Sequence, residues 1–157
     1  MFLNINIIKE LRYFFFMGIV PKVSLVIPKT VDGKLILAKR AIDKEPYPNT
    51  LVCAIGGKAN KGETYEQAAQ REMIEEAKLE TELIKKGTFY YQHENYESYF
   101  RVFATRNPIS IENLVPDPRE IQYFKEFHDY KIQNMIDQNP NDFAPTFLEA
   151  FRVFTEN

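Results

Sequence analysis

Apolar and polar positions along the chain switch between two periods, and the switches mark out its elements. Lys22 to Ile27 (KVSLVI) is rich in β-branched and apolar residues and stops at Pro28, the pattern of a strand ended by a residue that cannot donate to a ladder. Asp32-Gly33 is a turn pair and Lys34 to Lys39 (KLILAK) resumes the strand pattern, so the two runs predict a hairpin. Glu45 to Asn49 (EPYPN) is a proline-stiffened loop, and Leu51 to Ile55 (LVCAI) is a short, wholly apolar strand that runs into Gly56-Gly57. Thr88 to Gln92 and Tyr99 to Thr105 read as two further strands around a polar turn at His93-Glu94-Asn95. Phe127 to Asp137 and Pro145 to Phe154 read as helices. In the second, Phe147, Leu148, Phe151 and Phe154 form one apolar stripe, and Pro145 suits a first helical turn.

The densest chemistry lies between Gly56 and Leu79, GGKANKGETYEQAAQREMIEEAKL. A diglycine after a buried strand allows close approach of backbone to a neighbour, or a positive φ. Gly62 gives the following loop a second permissive point, Glu63-Thr64 opens a helix, and nothing from Thr64 to Ala77 breaks it. On a wheel of about 100° per residue with Glu72 at the origin, Glu76 falls at about 40° and Glu75 at about 300°, so three carboxylates share one arc. Ala69, Met73 and Ala77 form the adjoining arc, small and apolar, suited to packing on a sheet. Like charges at these spacings destabilise a helix by about 0.2–0.5 kcal/mol per exposed pair, and a divalent cation removes that penalty. From the residues alone, the face is either a solvated acidic surface or an oxygen ligand set for magnesium or manganese.

The full spacing narrows this choice. Gly57, five residues, Glu63, seven residues, then Arg71-Glu72-Met73-Ile74-Glu75-Glu76 and finally Leu79 resembles the Nudix box of the MutT-like Nudix hydrolase superfamily. The resemblance implies an α/β fold, an α/β/α sandwich with a mixed β-sheet between helices. It also implies divalent-metal-dependent hydrolysis of a diphosphate bond in a nucleoside diphosphate or triphosphate derivative, with Mg2+ or Mn2+ as cofactor. Carried over residue by residue, Glu72, Glu75, Glu76 and the Gly56 carbonyl match metal ligands, while Glu63 and Arg71 match a structural pair fixing loop against helix. Glu75 and Glu76 are the catalytic candidates within the box, and Glu120, in PDPREI, sits about where relatives carry an additional acidic residue, in competition with Asp117, Glu112 and Glu94. One position departs: Lys78 stands where the family places a glycine, which leaves room for the helix to run a turn further.

Outside the box, Tyr96 falls where dinucleoside-polyphosphate-cleaving relatives often have tyrosine, and Arg40, Arg101 and Lys39 are cations available to phosphates. Two alternatives stay open. Cys53 and the tail NPNDFAPTFLEAF resemble isopentenyl-diphosphate isomerases of the same fold, although those carry a degenerate box; a Nudix-type module that binds nucleotide without turnover is the other. His93 and His128 have no partner at ligand spacing.

Composition then trims the classes. Twenty Lys and Arg against 22 Asp and Glu give a net charge of −2, which lacks the broad positive field of a nucleic-acid duplex binder or an acidic-membrane binder. The single cysteine excludes an internal disulfide and a thiolate zinc cluster, and suggests a reducing, cytoplasmic setting. Residues 1–17 read as an N-terminal extension, with Ile5, Ile8, Leu11 and Phe15 at helical spacing; they lack the pattern of a signal or membrane anchor. Residues 18–157 are expected to form one domain. Dimers are frequent in the resembled family, and the aromatic extension is a candidate contact for a homodimer.

Overall fold

Seven strands and three helices follow one another in the computed structural model, which describes residues 20–94 and 96–157. The expected N-terminal helix, and Asn95 of the expected turn, lie outside the described residues. The strands are β1 (Lys22–Ile27), β2 (Leu35–Arg40), β3 (Leu51–Cys53), β4 (Ile55–Lys58), β5 (Leu83–His93), β6 (Tyr96–Thr105) and β7 (Ile121–Phe127). The helices are α1 (Tyr65–Ala77), α2 (Asp129–Gln138) and α3 (Pro145–Glu156).

The strands form two sheets, a mixed one ordered β4-β1-β6-β5 and an antiparallel one ordered β3-β2-β7. In the mixed sheet, alternate residues of the central strands face opposite cores. Val23, Leu25, Phe100 and Val102 pack with Phe147, Ala150 and Phe151 of α3, while Val26 and Phe103 pack with Ala69, Met73 and Ala77 of α1. This is the expected α/β/α sandwich with a mixed sheet between helices, with the second sheet contributing Leu35, Leu37 and Ile121 to the α3-side core.

The expected β1–β2 hairpin is corrected. The turn at Thr30 to Gly33 forms, and Lys29 bridges Leu35, but the two strands then diverge into different sheets. Both are buried along most of their length because each is central, β1 paired with β4 and β6, β2 with β3 and β7. The run Leu51 to Ile55 is likewise two strands. It bends at Ala54, so that Cys53 still pairs with Leu37 of β2 while Ile55 pairs with Val26 of β1. That handover delivers Gly56-Gly57 to the outer strand of the mixed sheet.

Other boundaries shift. The tyrosine-rich pair extends to Leu83–His93 and Tyr96–Thr105. Phe127, expected to begin a helix, instead ends β7, and α2 starts at Asp129. The helix α1 ends at Ala77 rather than running on: Lys78 takes the left-handed conformation (φ 55°, ψ 29°) despite its side chain, its N–H donating to the Ile74 carbonyl and its Nζ to the Glu75 carbonyl at 2.7 Å. At the other end Thr64 caps the helix reciprocally with Gln67. No helix among the described residues is long and apolar enough to cross a membrane.

Candidate functional site

The site is assembled where α1 crosses the outer strand β4. Ala59 N–H donates to the Lys22 carbonyl, which fixes the phase of the antiparallel ladder. Gly57 then exchanges bonds with Ser24, while Gly56 and Lys58 turn their carbonyls to the outer side of β4. The Lys58 carbonyl accepts from Arg71 of α1 at 3.0 Å, which shows which way that edge faces.

Arg71 is the hub. Its Nε and a terminal nitrogen grip both oxygens of Glu63 at 2.9 Å, and Glu63 in turn accepts from the Asn60 N–H. The hydrogen bond from Arg71 holds the Glu63 carboxyl below its ordinary range, and the same partner raises Arg71. The other terminal nitrogen reaches Glu72 at 2.9 Å and Glu75 at 3.7 Å. The sequence pair Glu63 and Arg71 is therefore brought together, with two of the three box carboxylates attached to it.

Glycine at 57 leaves room for Glu72. A Cβ there would stand 2.1 Å from a Glu72 carboxylate oxygen, so the helix carboxylate lies directly on the strand backbone. The permissiveness read from the diglycine is spent on close approach, and the positive φ belongs to Gly62 instead (φ 81°). Glu76 is partly buried beside Glu72. Burial first, then the Glu72 carboxylate and the charge of Glu120, push its carboxyl up to about 7. Glu75 is largely exposed. Among the described residues no three carboxylate, imidazole or thiol side chains converge tightly enough to enclose a cation as they stand. The donor set nevertheless suits a hard cation: two carboxylates packed side by side repel each other, and an edge carbonyl faces outward on the adjacent strand.

Glu120, distant in sequence, enters this neighbourhood from the residue before β7. Its carbonyl accepts from the Ala41 N–H and its carboxylate lies 3.8 Å from Lys44. The competing acids are occupied elsewhere: Asp117 with Arg119, Glu112 with Ser110, Glu94 with His93.

The three substrate-binding candidates separate. Arg40 is 3% exposed, and its guanidinium donates to the carbonyls of Lys44 at 3.2 Å and Glu45 at 3.0 Å. Burial lowers it to about 10, against the opposing charges of Glu120 and Glu45. Tyr96, raised by burial to about 12, joins Arg40 around a cavity of about 30 Å³ that Tyr47, Leu25, Val52 and Phe147 also line. Arg101 lies on the other face of the sheet, stacked 4.3 Å over Tyr65 and paired with Glu66 at 3.2 Å. It belongs to the packing of the α1 N-terminus and is not grouped with Arg40 and Tyr96. Cys53 is 4% exposed, and burial pushes its thiol up to about 12. Tyr47 and Lys44, which join Arg40 and Glu120 here, carry no sequence signal beyond the pair of prolines bracketing Tyr47.

A family model described as NUDIX domain matches residues 20–147. The chain is 30% identical over 118 residues to an uncharacterized Nudix hydrolase of Listeria innocua, covering 74% of this chain and 67% of that protein. To an uncharacterized Nudix hydrolase of a Nostoc species it is 27% identical over 115 residues, 73% of this chain but only 55% of the relative's length. Among solved structures, the MutT protein of Methanosarcina mazei superposes with a TM-score of 0.70 at 16% identity, covering 87% of this chain and 94% of that one. A Deinococcus radiodurans protein, DR0079, superposes at 0.68 and 21% identity, covering 85% and 83%.

Proposed function

The chain belongs to the Nudix family, and on that premise we propose that it hydrolyses, with a divalent cation, a diphosphate bond in a nucleoside diphosphate or triphosphate derivative. The observation that carries the reading is the pairing of Glu72 with Glu76 beside Gly57, with the charge of Glu120 reaching the same point. Carboxylates gathered this way need a proton or a cation between them.

Glu72, Glu75, Glu76 and the Gly56 carbonyl would hold Mg2+ or Mn2+. When bound, the ion neutralises charge on the phosphates and makes water a stronger acid. Arg71 orients Glu72 and leaves Glu75 tethered at longer range, so the set can close on a cation by small side-chain movements. Glu76 or Glu120 takes the proton of the attacking water, and the base that acts is the one whose carboxylate stays free of the ion. Lys44 lies 3.8 Å from the Glu120 carboxylate and offsets part of its charge.

The isomerase alternative needs an accessible, ionisable cysteine, and Cys53 is buried with its thiol pushed up. The decisive experiment is release of phosphate or pyrophosphate from a panel of nucleotides with Mg2+ or Mn2+. Turnover is expected, with Glu76→Gln lowering kcat about 10²–10⁴-fold while the protein stays folded. Tight binding without turnover of any member favours a sensor. Activity on isopentenyl diphosphate that Cys53→Ala abolishes favours the isomerase.

A further inference from the structure

We propose that the protein pairs with a second copy of itself through the face of the mixed sheet that α1 leaves open, around Tyr99. On β6, Phe103 lies under α1, and Arg101, two residues earlier, stacks on Tyr65 at the start of that helix. Strand alternation puts Tyr99 and Glu97 on the same side of the sheet. The register then sets Lys22 of β1 and Tyr90 of β5 on either side of Tyr99. The helix begins only at Tyr65, so these positions stay open to solvent: Tyr90 and Tyr99 are 44% and 45% exposed, their ring centroids 5.2 Å apart. Two adjoining tyrosines held out in this way have the composition of a protein contact.

Charge says what meets them. The Lys22 ammonium lies over the Tyr65 ring, 5.5 Å from its centroid, and Glu97 accepts from the Tyr90 hydroxyl. Among the described residues neither has an oppositely charged partner. Strand spacing and rise put their Cα atoms about 8 Å apart, with Tyr99 next to both. A two-fold axis in the plane of the contact, midway between Lys22 and Glu97, sets each copy's Lys22 over the other copy's Glu97. The same operation brings the two Tyr99 positions together with a lateral offset of about 3 Å, suited to offset stacking of the rings. One surface thus holds both halves of a complementary pair, and an isologous contact uses that pair twice.

Other occupants fit less well. Strand addition along the outer edge of β5 meets a bulge between Lys85 and Gly87. A Cβ at Gly87 would stand 2.5 Å from Val153, so the bulged strand is packed directly on α3. A single nucleic-acid strand would meet the carboxylates of Glu66 and Glu97 on a chain of net charge −2. The open face is small, so the pairing is transient, with a Kd of about 1–100 µM. It gives the homodimer expected from the sequence a surface on the folded sheet.

The test is sedimentation equilibrium of the full chain and of two charge-reversed variants. Wild type should show a monomer–dimer equilibrium, and Lys22→Glu or Glu97→Lys alone should each weaken it at least about tenfold, because either reversal turns two attractions into repulsions. An equimolar mixture of the two variants should associate as wild type does, since the two-fold then faces one copy's acids with the other copy's lysines. That rescue cannot arise within one chain. Tyr99→Ser, at the centre of the contact, should also abolish association, and circular dichroism melts check that every variant is folded. Wild type that stays monomeric to about 500 µM overturns the proposal. So do single variants that dimerise like wild type, or a mixture that stays monomeric. Binding of octauridylate by monomeric wild type, lost in Tyr99→Ser, would give the face to single-stranded nucleic acid instead.

Discussion

Glu76 carries into the folded state a proton that the unfolded chain releases. Its carboxyl is raised from about 4.5 to about 7, so between those pH values the folded form binds more protons and the metal-free protein loses stability as pH rises. Discounted for solvent screening, the loss is about 2 kcal/mol, complete above about pH 7 and absent below about pH 4.5. Denaturant titrations in chelator should show this slope, and Glu76→Gln should flatten it, leaving a variant more stable at pH 8 and catalytically impaired. Gly57→Ala should act through Glu72: the added Cβ displaces that carboxylate, so metal affinity and turnover should fall more than tenfold, while unfolding free energy changes by about 1–2 kcal/mol. The box carboxylates could be found from helical spacing because all sit within five positions of one another. Glu120 and Tyr47 could not be placed so: Glu120 meets Glu76 only once β7 has docked on β2, and the burial of a loop tyrosine depends on Arg40, an interaction with no periodicity.

Lys78 shows what an element gains from a residue that propensity disfavours. It closes α1 in a conformation that costs an L-residue about 1–2 kcal/mol, and two hydrogen bonds to the last turn offset part of it. Lys78→Gly should therefore stabilise the domain by up to about 1 kcal/mol, read as a rise in melting temperature with activity unchanged. Helix α1 could be read from its 3.6-residue period, and strands β1, β5 and β6 from their β-branched and aromatic runs, although the ends of β5 and β6 could not. The pairing of β1 with β2 could not: a turn pair between apolar runs is equally the signature of a hairpin and of a corner between sheets. Strand β7 escapes a two-residue pattern because Ile121, Phe124 and Phe127 recur every three residues. It lies at the edge of its sheet with only its end residues Ile121 and Phe127 buried, so burial imposes little two-residue alternation.

At the scale of the molecule, one mixed sheet separates two cores, and the carboxylates lie on the side closed by α1. Cation binding that favours the folded form should stabilise the whole domain. At a hundredfold excess over Kd the gain is about 2.7 kcal/mol, or about 5–10 °C in melting temperature for a domain of this size. Calorimetric scans with Mg2+ or Mn2+ should show the rise and chelator should reverse it, with affinity increasing as pH rises through about 7 because the cation displaces the Glu76 proton. Glu72→Gln combined with Glu76→Gln should abolish the shift. The placement of Arg71 over the Lys58 carbonyl has a different outcome for the life of the protein in a crowded solution. A bare outer strand invites a foreign strand to zip alongside and seed a fibril; here a guanidinium already occupies one of the seats such an intruder would need. The residue that orders the loop also guards the molecule against polymerising through the edge that carries the proposed metal site.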